Sequence, residues 1–277
     1  MKTWLITGTS TGLGRLLCEQ LLERGDRVIA TLRKQGALDD LLALHGDRLQ
    51  ILTLDVPDTA AIIAGVSQAF EAAGRIVVIV SNAGYGLFGA AEEASPEQIE
   101  RQLATNLTGS IHLIRAVLPH LRAQGGGRIV QVSSEGGQIA YPGFSLYHAT
   151  KWGIEGFVES VAKEVAPFAI DFVIIEPGPT VTHFAEGLDR TTPMACYEAT
   201  PAGEVRRALA TGAFAVKGDA GKTVEALINA ADMTHPPLRL TLGSTAYSSI
   251  SEALAERIRS LEKYRHVTFS ADIDAKA

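Results

Sequence analysis

The first 32 residues restrict the fold more than any other stretch of the sequence. A mostly apolar run at 2–7 ends at a glycine-rich turn, and leucines at helical spacing then continue to Gly25. A second apolar run follows at 27–32. Strand, turn, helix and strand in this order form a βαβ unit, which requires a parallel sheet.

The same alternation continues along most of the chain. Further strands are predicted at 49–54, 76–80, 128–132, 171–175 and 238–242, and helices at 38–45, 58–73, 95–125, 147–165, 219–231 and 249–262, with a break near Asn106. The five consecutive apolar residues at 76–80 are typical of a buried parallel strand. We therefore expect an α/β fold with a Rossmann-like, doubly wound parallel sheet of about seven strands, helices on both faces, and a single domain over residues 1–277.

Composition argues against several classes of partner. The 277 residues carry a formal net charge of −6 without a basic cluster, so no nucleic-acid partner is expected. No apolar run reaches the ~18 residues of a membrane-spanning helix, and no signal peptide precedes the glycine turn. Cys18 and Cys196 are too few for a disulfide framework or a zinc site, so no metal is expected. These features favour a cytoplasmic protein.

The glycine-rich turn has the features of a phosphate site. Gly8, Gly12 and Gly14 allow a tight turn and a close approach of the backbone to a ligand. The N-terminus of the following helix offers free N–H groups and the positive end of its dipole to a pyrophosphate. The position between a strand and a helix favours a dinucleotide site over the alternative, a purely structural loop.

Arg33 indicates which dinucleotide the turn would hold. NAD-binding proteins usually place an acidic residue about 20 residues beyond the glycines, where it binds the ribose 2′-hydroxyl. No carboxylate occurs between Val28 and Ala37, and Arg33 and Lys34 stand there instead. Because a guanidinium pairs with a 2′-phosphate, the sequence favours NADPH over NADH. The alternative is an ordinary solvated basic pair.

Tyr147 and Lys151 form the candidate catalytic pair. They lie four residues apart in a predicted helix, so a phenol and an ammonium share one face. A cation within about 4–6 Å lowers the tyrosine pKa from near 10 towards the working pH of a general acid/base. The alternative is a half-buried tyrosine beside a lysine that extends to solvent.

Four candidate site residues stand at the ends of predicted strands. Asp55, Asn82, Ser134 and Pro177 each stand just after an apolar run. Ligands of doubly wound sheets bind beyond the carboxyl ends of the strands. We therefore expect these four residues to converge on one cleft.

Together these motifs resemble those of the compact, single-domain branch of the short-chain dehydrogenase/reductase family. The resemblance covers roughly residues 1–190 and rests on TGTSTGLG at 7–14, Asp55-Val56, SNAG at 81–84, Asn106, Ser134, YHATK at 147–151 and PGPTVT at 177–182. It implies an NADP(H)-dependent enzyme that interconverts a carbonyl compound and a secondary alcohol by hydride transfer.

The resemblance also implies a catalytic role for each of four residues. Tyr147 would be the acid/base, and Lys151 would hold the nicotinamide ribose and lower the tyrosine pKa. Ser134 would hydrogen-bond the substrate oxygen and stabilise the charge that develops on it. Asn106 would hold a helix break and a water molecule of a proton relay.

A larger set of residues is implied at the cofactor. Asp55 and Val56 would contact the adenine, and Thr182 would orient the nicotinamide carboxamide. The complete implied set is Gly8, Ser10, Thr11, Gly12, Leu13, Gly14, Arg33, Asp55, Val56, Asn82, Ala83, Gly84, Tyr147, Lys151, Pro177, Gly178, Thr180 and Thr182.

Three positions depart from the family pattern. Ser81 and Glu176 stand where asparagine is commoner, and Thr11 stands where some NADPH enzymes carry a second basic residue. None of the three removes a catalytic atom. The departure at Thr11 leaves Arg33 as the main support for NADP(H).

Beyond Thr182 the resemblance weakens. Residues 183–218 are predicted to be irregular and to form a substrate lid, and 266–277 are predicted to be a loose tail or to pack on a neighbouring subunit. The opposite walls are expected to be the apolar residues Tyr85, Leu87, Phe88, Tyr141 and Phe144, which favour a hydrophobic small-molecule substrate. By family analogy we expect a homodimer or homotetramer.

Three other functions compete with this interpretation. A dinucleotide-binding sensor without turnover would not require the Asn-Ser-Tyr-Lys set that is present here. Nucleotide-sugar epimerases and dehydratases usually have a different glycine spacing and a longer substrate domain. An NAD-dependent alcohol dehydrogenase is opposed only by Arg33.

Overall fold

Seven parallel strands form the central sheet of the computed structural model, which describes residues 1–182, 184–213 and 216–273. The described residues form nine strands in all: β1 (Thr3–Thr7), β2 (Arg27–Leu32), β3 (Leu49–Thr53), β4 (Val78–Ser81), β5 (Leu87–Phe88), β6 (Gly127–Val132), β7 (Ile170–Pro177), β8 (Asp189–Arg190) and β9 (Arg239–Leu242). The sheet order is β3-β2-β1-β4-β6-β7-β9, while β5 and β8 pair separately as a short parallel ribbon. The predicted Rossmann-like parallel sheet is confirmed.

Helices cover both faces of this sheet. They are α1 (Gly12–Glu23), α2 (Asp39–His45), α3 (Thr59–Ala73), α4 (Pro96–Leu103), α5 (Gly109–Ala123), α6 (Ser145–Val165), α7 (Pro201–Ala210), α8 (Ala220–Asp232), α9 (Ser244–Lys263) and α10 (Arg265–Phe269). Helices α1, α2 and α8 pack on one face, and α3, α5 and α6 pack on the other.

Alternate residues of each strand serve the two faces. Ile6 and Val80 lie in the core beneath α1 and α8, whereas Leu5 and Ile79 lie in the core beneath α3, α5 and α6. A strand that is buried on both faces has to be apolar at every position. This is why the central strands read as continuous apolar runs.

The helices α3 and α4 begin at the capping residues that the sequence predicts, and the predicted helix break is also present. The Asp58 side chain accepts a hydrogen bond from the N–H of Ala61 at the start of α3. Ser95 and Gln98 form a reciprocal capping box at the start of α4, with Pro96 at its first position. The predicted break near Asn106 is a π-helical turn at Ala104–Thr108 between α4 and α5.

The second half of the chain contains more helix than its sequence predicts. Helix α7 lies inside the segment 183–218 that was expected to be irregular, and α10 occupies part of the expected loose tail. His183, Phe214, Ala215 and 274–277 lie outside the described residues. Among the described helices, none is both long enough and apolar enough to cross a membrane.

Candidate active site

A cavity of about 960 Å³ opens at the carboxyl ends of the central strands. It brings together residues that are far apart in sequence, from the turn after β1 to the loop after β7. Of the catalytic and cofactor-binding residues that sequence analysis assigns to the site, Gly14 and Asn106 do not line the cavity, whereas the others do. The expected convergence at the strand ends is therefore observed.

The turn after β1 requires glycine for two reasons. Gly8 and Gly12 have φ angles of 70° and 59°, in the left-handed region that side chains rarely adopt. At Gly14 a Cβ atom would lie 2.2 Å from the carbonyl oxygen of Gly8. Gly14 therefore allows the helix to pack against the turn and does not itself face the cavity.

Asn82 holds this turn from the neighbouring strand end. Its side-chain amide donates to the carbonyl oxygens of Thr7 and Gly8, at 2.9 and 3.0 Å. The Thr7 hydroxyl in turn accepts from the N–H groups of Asn82 and Ala83, at 3.0 and 3.1 Å. The amide thus shapes the floor of the cavity by fixing the β1 and β4 ends together.

Arg33 extends from the end of β2 at the rim of the cavity and is exposed. Within the described part of the chain it forms no hydrogen bond or ion pair. The nearby Arg15 differs, because it pairs with Glu19 at 2.9 Å and Asp40 at 2.5 Å and donates to the Ala37 carbonyl. Arg33 is therefore a cavity-lining cation that is available to a ligand.

Tyr147 and Lys151 share one face of α6, with Nζ of Lys151 5.5 Å from the centroid of the tyrosine ring. Nζ also donates to the carbonyl oxygen of Val132, at 3.0 Å. Burial raises the pKa of Tyr147 to about 12, although a hydrogen bond with Ser134 lowers it. Burial lowers the pKa of Lys151 to about 8, against the opposing effect of Glu155. The prediction that the tyrosine pKa is lowered is wrong for this structure, because burial, with a smaller contribution from the charge of Glu135, raises it.

Ser134 is the second residue after β6 and connects the turn that follows to Tyr147. Its hydroxyl accepts from the N–H of Gly136 at 3.1 Å and hydrogen-bonds Tyr147. Ser133, the neighbouring serine, instead donates to a buried carboxylate, Glu155, at 2.5 Å. Of the two serines, the geometry places Ser134 at the tyrosine hydroxyl.

Asn106 is buried and clamps the backbone of Tyr85. Its amide oxygen accepts from the Tyr85 N–H at 3.1 Å, and its amide nitrogen donates to the Tyr85 carbonyl at 2.8 Å. The π-helical turn places this side chain between the β4 loop and Thr150 of α6. In this structure Asn106 positions the wall of the cavity.

Two buried glutamates and a partly exposed arginine form a charged group near Lys151. Arg239 of β9 approaches Glu155 and Glu176, each at 3.3 Å. Glu176 also accepts from Gln138 and Thr241, both at 2.8 Å. Burial raises the pKa of Glu155. Sequence analysis noted Glu176 only as a departure from the family pattern, since its partner Arg239 is remote in sequence.

Glu135 is a cavity residue that sequence analysis missed. It follows Ser134, is 2% exposed, and accepts a hydrogen bond from the hydroxyl of Tyr141. His148 supports this turn, because its ring bonds the Gly136 carbonyl at 2.9 Å and accepts from the Tyr141 N–H at 3.0 Å. An acidic residue in a turn that otherwise consists of small residues was the available signal.

The segment that follows Thr182 is attached to the sheet domain by buried contacts. Glu93 accepts from Arg206 of α7 at 2.6 Å, from the Met194 N–H at 2.8 Å and from Thr191 at 3.1 Å. Asp189 pairs with Arg101 at 2.8 Å. The segment is therefore anchored at several points along its length.

Aromatic side chains form the substrate side of the cavity. Phe184 packs edge-on against Tyr147 with ring centroids 5.7 Å apart, and Tyr85, Tyr141 and Phe144 also line the space. The expectation that Leu87 and Phe88 line it is wrong. Both are buried in the β5–β8 ribbon, where Phe88 packs beneath Phe144 at 5.1 Å.

Comparison with known proteins agrees with this architecture. The family profile described as short chain dehydrogenase matches residues 2–193. The oxidoreductase BOA17 of Botryotinia fuckeliana is 36% identical over 98% of this chain and 99% of its own length. A short-chain dehydrogenase structure from Streptomyces avermitilis superposes with a TM-score of 0.91 at 36% identity, covering 98% of this chain and 99% of that chain. The structure of a serine dehydrogenase complexed with NADP⁺ has a TM-score of 0.74 at 28% identity. This match covers 87% of this chain and 94% of that chain.

The fold, the site and these similarities define the class of protein. The chain belongs to the short-chain dehydrogenase family and is an oxidoreductase.

Proposed function

We propose that this protein is an NADP(H)-dependent oxidoreductase that interconverts a carbonyl compound and a secondary alcohol, with Tyr147 as the acid/base. The proposal rests mainly on one observation: Tyr147, Ser134 and Lys151 share a single cavity with the glycine turn. A reacting group held at the tyrosine is thereby within reach of a dinucleotide held at the turn.

The cavity residues fit a nicotinamide dinucleotide. The start of α1 at Gly12 and Leu13 faces the cavity and would bind the pyrophosphate through its N–H groups and dipole. Asp55 and Val56 would hold the adenine, and Lys151 the nicotinamide ribose. The remaining implied contacts are Ser10, Thr11, Ala83, Gly84, Pro177, Gly178, Thr180 and Thr182. When bound, the cofactor supplies or accepts the hydride at the substrate carbon.

Arg33 supports NADP(H) over NAD(H). It stands at the end of β2, lines the cavity and has no partner in the described part of the chain. A guanidinium in this position would form charge-assisted hydrogen bonds to a 2′-phosphate. The structural similarity to an NADP⁺ complex points in the same direction.

Tyr147 would transfer the proton, and Ser134 would assist it at the substrate oxygen. The raised pKa of Tyr147, about 12, keeps its hydroxyl protonated at neutral pH, so it can donate a proton to a carbonyl oxygen during reduction. The Ser134 hydroxyl would hydrogen-bond the same oxygen as negative charge develops on it. Lys151 would add a positive charge beside the ring. Asn106 would act through the Tyr85 backbone that it holds.

The substrate is proposed to be a small, largely hydrophobic molecule. Phe144 and Phe184 pack edge-on against the Tyr147 ring, and Tyr141 also lines the cavity. The described part of the 183–218 segment would form the lid, because Phe184 contacts Tyr147 directly.

The test is oxidation of NADPH and NADH by the purified protein with a panel of ketones, quinones and aldehydes. We expect turnover with NADPH to exceed turnover with NADH by at least about tenfold, the value of one strong charge-assisted contact. Arg33→Ala should remove most of this preference. Lys34→Ala is the matched control, since Lys34 is the adjacent basic residue and does not line the cavity.

Two results would contradict parts of this proposal. A preference for NADH would favour an NAD-dependent alcohol dehydrogenase and remove the role of Arg33. Tight NADPH binding without turnover of any carbonyl compound would favour a dinucleotide-binding sensor.

A further inference from the structure

Glu155 is the third residue of a row on α6 that begins with Tyr147 and Lys151. The three positions are spaced four residues apart, so their side chains lie on one face of the helix. Tyr147 and Lys151 line the cavity, whereas Glu155 is 2% exposed and does not line it. The proposed reaction assigns no role to this carboxyl group.

The end of β6 and the two residues after it contact this row one by one. The carbonyl oxygen of Val132 accepts from Nζ of Lys151, at 3.0 Å. The next residue, Ser133, donates from its hydroxyl to Oε1 of Glu155, at 2.5 Å. Ser134 then hydrogen-bonds the tyrosine hydroxyl. The hydrogen bond to Glu155 is therefore one of three that fix this face of α6 against the end of the strand.

The Glu155 carboxyl group is held on both of its oxygens. Gly137 leaves the space for Oε1, because a Cβ atom at Gly137 would lie 1.8 Å from it. Oε2 accepts from Nε of Arg239, which extends from β9, at 3.3 Å. The hydrogen bonds from Ser133 and Arg239 favour the ionised form, so they oppose the effect of burial on the pKa of Glu155.

Lys151 is buried in the wall of the cavity, where its charge requires compensation. Burial lowers the pKa of Lys151 to about 8, because a buried ammonium group loses its hydration. The negative charge of Glu155, one helical turn away, raises this pKa. The carboxyl group that Ser133 and Arg239 keep ionised thus acts on the charge of a candidate catalytic residue.

Other titratable or charged side chains surround this row from the elements packed against it: His148 and Glu159 of α6, Glu135 of the turn after β6, Glu176 of β7 and Arg239 of β9. Glu176 and Arg239 act on the pKa of Glu155 in opposite directions, and the charge of Glu135 acts on the tyrosine. Glu159 pairs with the same arginine at 3.2 Å, but its side chain is 43% exposed. Glu155 is therefore the carboxyl group that acts on the lysine.

We propose that Glu155 is a positioning residue of the reaction, which keeps Lys151 charged and holds it in register with Tyr147. The inference rests on the proposed function, because the charged lysine takes part in that reaction beside the tyrosine ring. Without the Glu155 charge, the buried ammonium group is left uncompensated, so the lysine loses its proton at a lower pH. Activity that depends on the charged lysine is then also lost at a lower pH.

The experiment measures kcat for ketone reduction by NADPH as a function of pH, in wild type and in Glu155→Gln. Glutamine keeps an acceptor for the Ser133 hydroxyl and removes the charge. Wild type should lose activity as the pH rises through about 8, the pKa of Lys151. In Glu155→Gln this alkaline decline should occur at least about one pH unit lower, as for the loss of one nearby opposite charge. An unchanged decline in a folded Glu155→Gln protein overturns the proposal.

Two variants control for effects other than the Glu155 charge. Glu159→Gln removes a carboxyl group that also pairs with Arg239 but lies one turn further from the lysine, so its alkaline decline should coincide with that of wild type. Glu155→Asp restores the charge and should bring the decline back towards the wild-type pH. An equal shift in Glu159→Gln and Glu155→Gln would overturn the specific role of Glu155.

Ser133→Ala decides the question if Glu155→Gln does not fold. The hydrogen bond from Ser133 lowers the pKa of Glu155, so its removal makes this carboxyl group less ionised. The alkaline decline of Ser133→Ala should therefore move in the same direction as that of Glu155→Gln, by a smaller amount. The absence of any shift would overturn the proposal.

Direct titration of Lys151 separates this inference from the proposed function. In protein with isotopically labelled lysine, the NMR resonance of the Lys151 Cε atom, assigned with Lys151→Arg, reports its protonation without turnover. If the titration midpoint falls in Glu155→Gln and not in Glu159→Gln, but no carbonyl compound is reduced, the proposed function fails and the action of Glu155 on the lysine stands. If ketones are reduced and the midpoint is the same in wild type and Glu155→Gln, the role of Glu155 is overturned and the proposed function stands.

Discussion

Glu93 and Glu135 are both buried, at 8% and 2% exposure. Even so, the pKa values of their carboxyl groups are shifted in opposite directions. Burial acts to raise the pKa of Glu93, but the hydrogen bonds from Met194, Arg206, Ala90 and Thr191 lower it to about 2. Burial raises the pKa of Glu135 to about 7. At neutral pH Glu93 is therefore ionised, whereas Glu135 is close to half-protonated.

The difference lies in the donors that surround each carboxyl group. Glu93 is enclosed by backbone N–H groups and a guanidinium, which together attach the segment containing α7 to the domain. Glu135 has one donor, Tyr141, and its other oxygen is buried without a partner among the described residues. Burial with complete hydrogen bonding keeps the carboxyl group ionised, whereas burial with one unpaired oxygen favours its protonated form.

The largest effect on stability is expected from Glu93→Gln. This change removes the negative charge that Arg206 approaches at 2.6 Å and leaves the guanidinium without a buried partner. We expect the free energy of unfolding in urea to fall by about 3 kcal/mol. Glu198→Gln is the matched control, because Glu198 pairs with the same arginine at 2.7 Å but its side chain is 51% exposed. Glu198→Gln should lower the free energy of unfolding by less than about 1 kcal/mol. An equal loss for both variants would show that burial of the carboxyl group does not strengthen its pairing with Arg206.

The second effect is a pH dependence of opposite sign at the two sites. Because the pKa of Glu135 is raised from 4.5 to about 7, wild type is progressively destabilised as pH rises across that interval. The unfolding free energy of Glu135→Gln minus that of wild type should therefore increase by about 3 kcal/mol between pH 4.5 and 7.

The stability contributed by Glu93 should depend on pH in the opposite way. Its pKa is lowered from 4.5 to about 2, so its contribution is complete above pH 4.5 and is lost as pH falls towards 2. The difference between wild type and Glu93→Gln should be flat at neutral pH and shrink in acid. If the stability difference from wild type changed with pH in the same way for Glu135→Gln and Glu93→Gln, the opposite pKa shifts of the two glutamates would be contradicted.

The smallest effect is expected where a glutamate is paired but not buried. Glu256 approaches Arg259 at 2.5 Å, and both side chains are about two-thirds exposed. Glu256→Gln should change the unfolding free energy by less than about 1 kcal/mol, and added salt should reduce even that difference. A cost similar to that of Glu93→Gln would indicate that charge pairing alone, without burial, sets the stability.

The sequence predicted the sheet well because its signals are local. Continuous apolar runs marked strands that are buried on both faces, and Ser95 with Pro96 marked the start of α4. Helix α7 was missed, since Gly, Pro and Thr surround it and its anchor, Arg206 with Glu93, joins residues 113 positions apart. Contacts of this range leave no periodic pattern.

At the site, residue identities were predictable and their energetics were not. The residues that line the cavity could be located from strand ends and motif spacing, as with Asp55 and Ser134. The pKa of Tyr147 could not be predicted, because spacing reveals the neighbouring Lys151 but not the burial that raises this pKa. Glu135 was missed because only the folded structure shows that Tyr141 reaches one of its oxygens and nothing described reaches the other.

The most direct test of the account is the turnover of Tyr147→Phe with NADPH and a ketone that the wild type reduces. Removing one hydroxyl leaves the ring contact with Phe184 in place and removes the proton donor. The account predicts a fall in kcat of about 100-fold or more, as for loss of a general acid, with NADPH affinity within about threefold of wild type. A kcat close to that of wild type would contradict the assignment of Tyr147 as the acid/base.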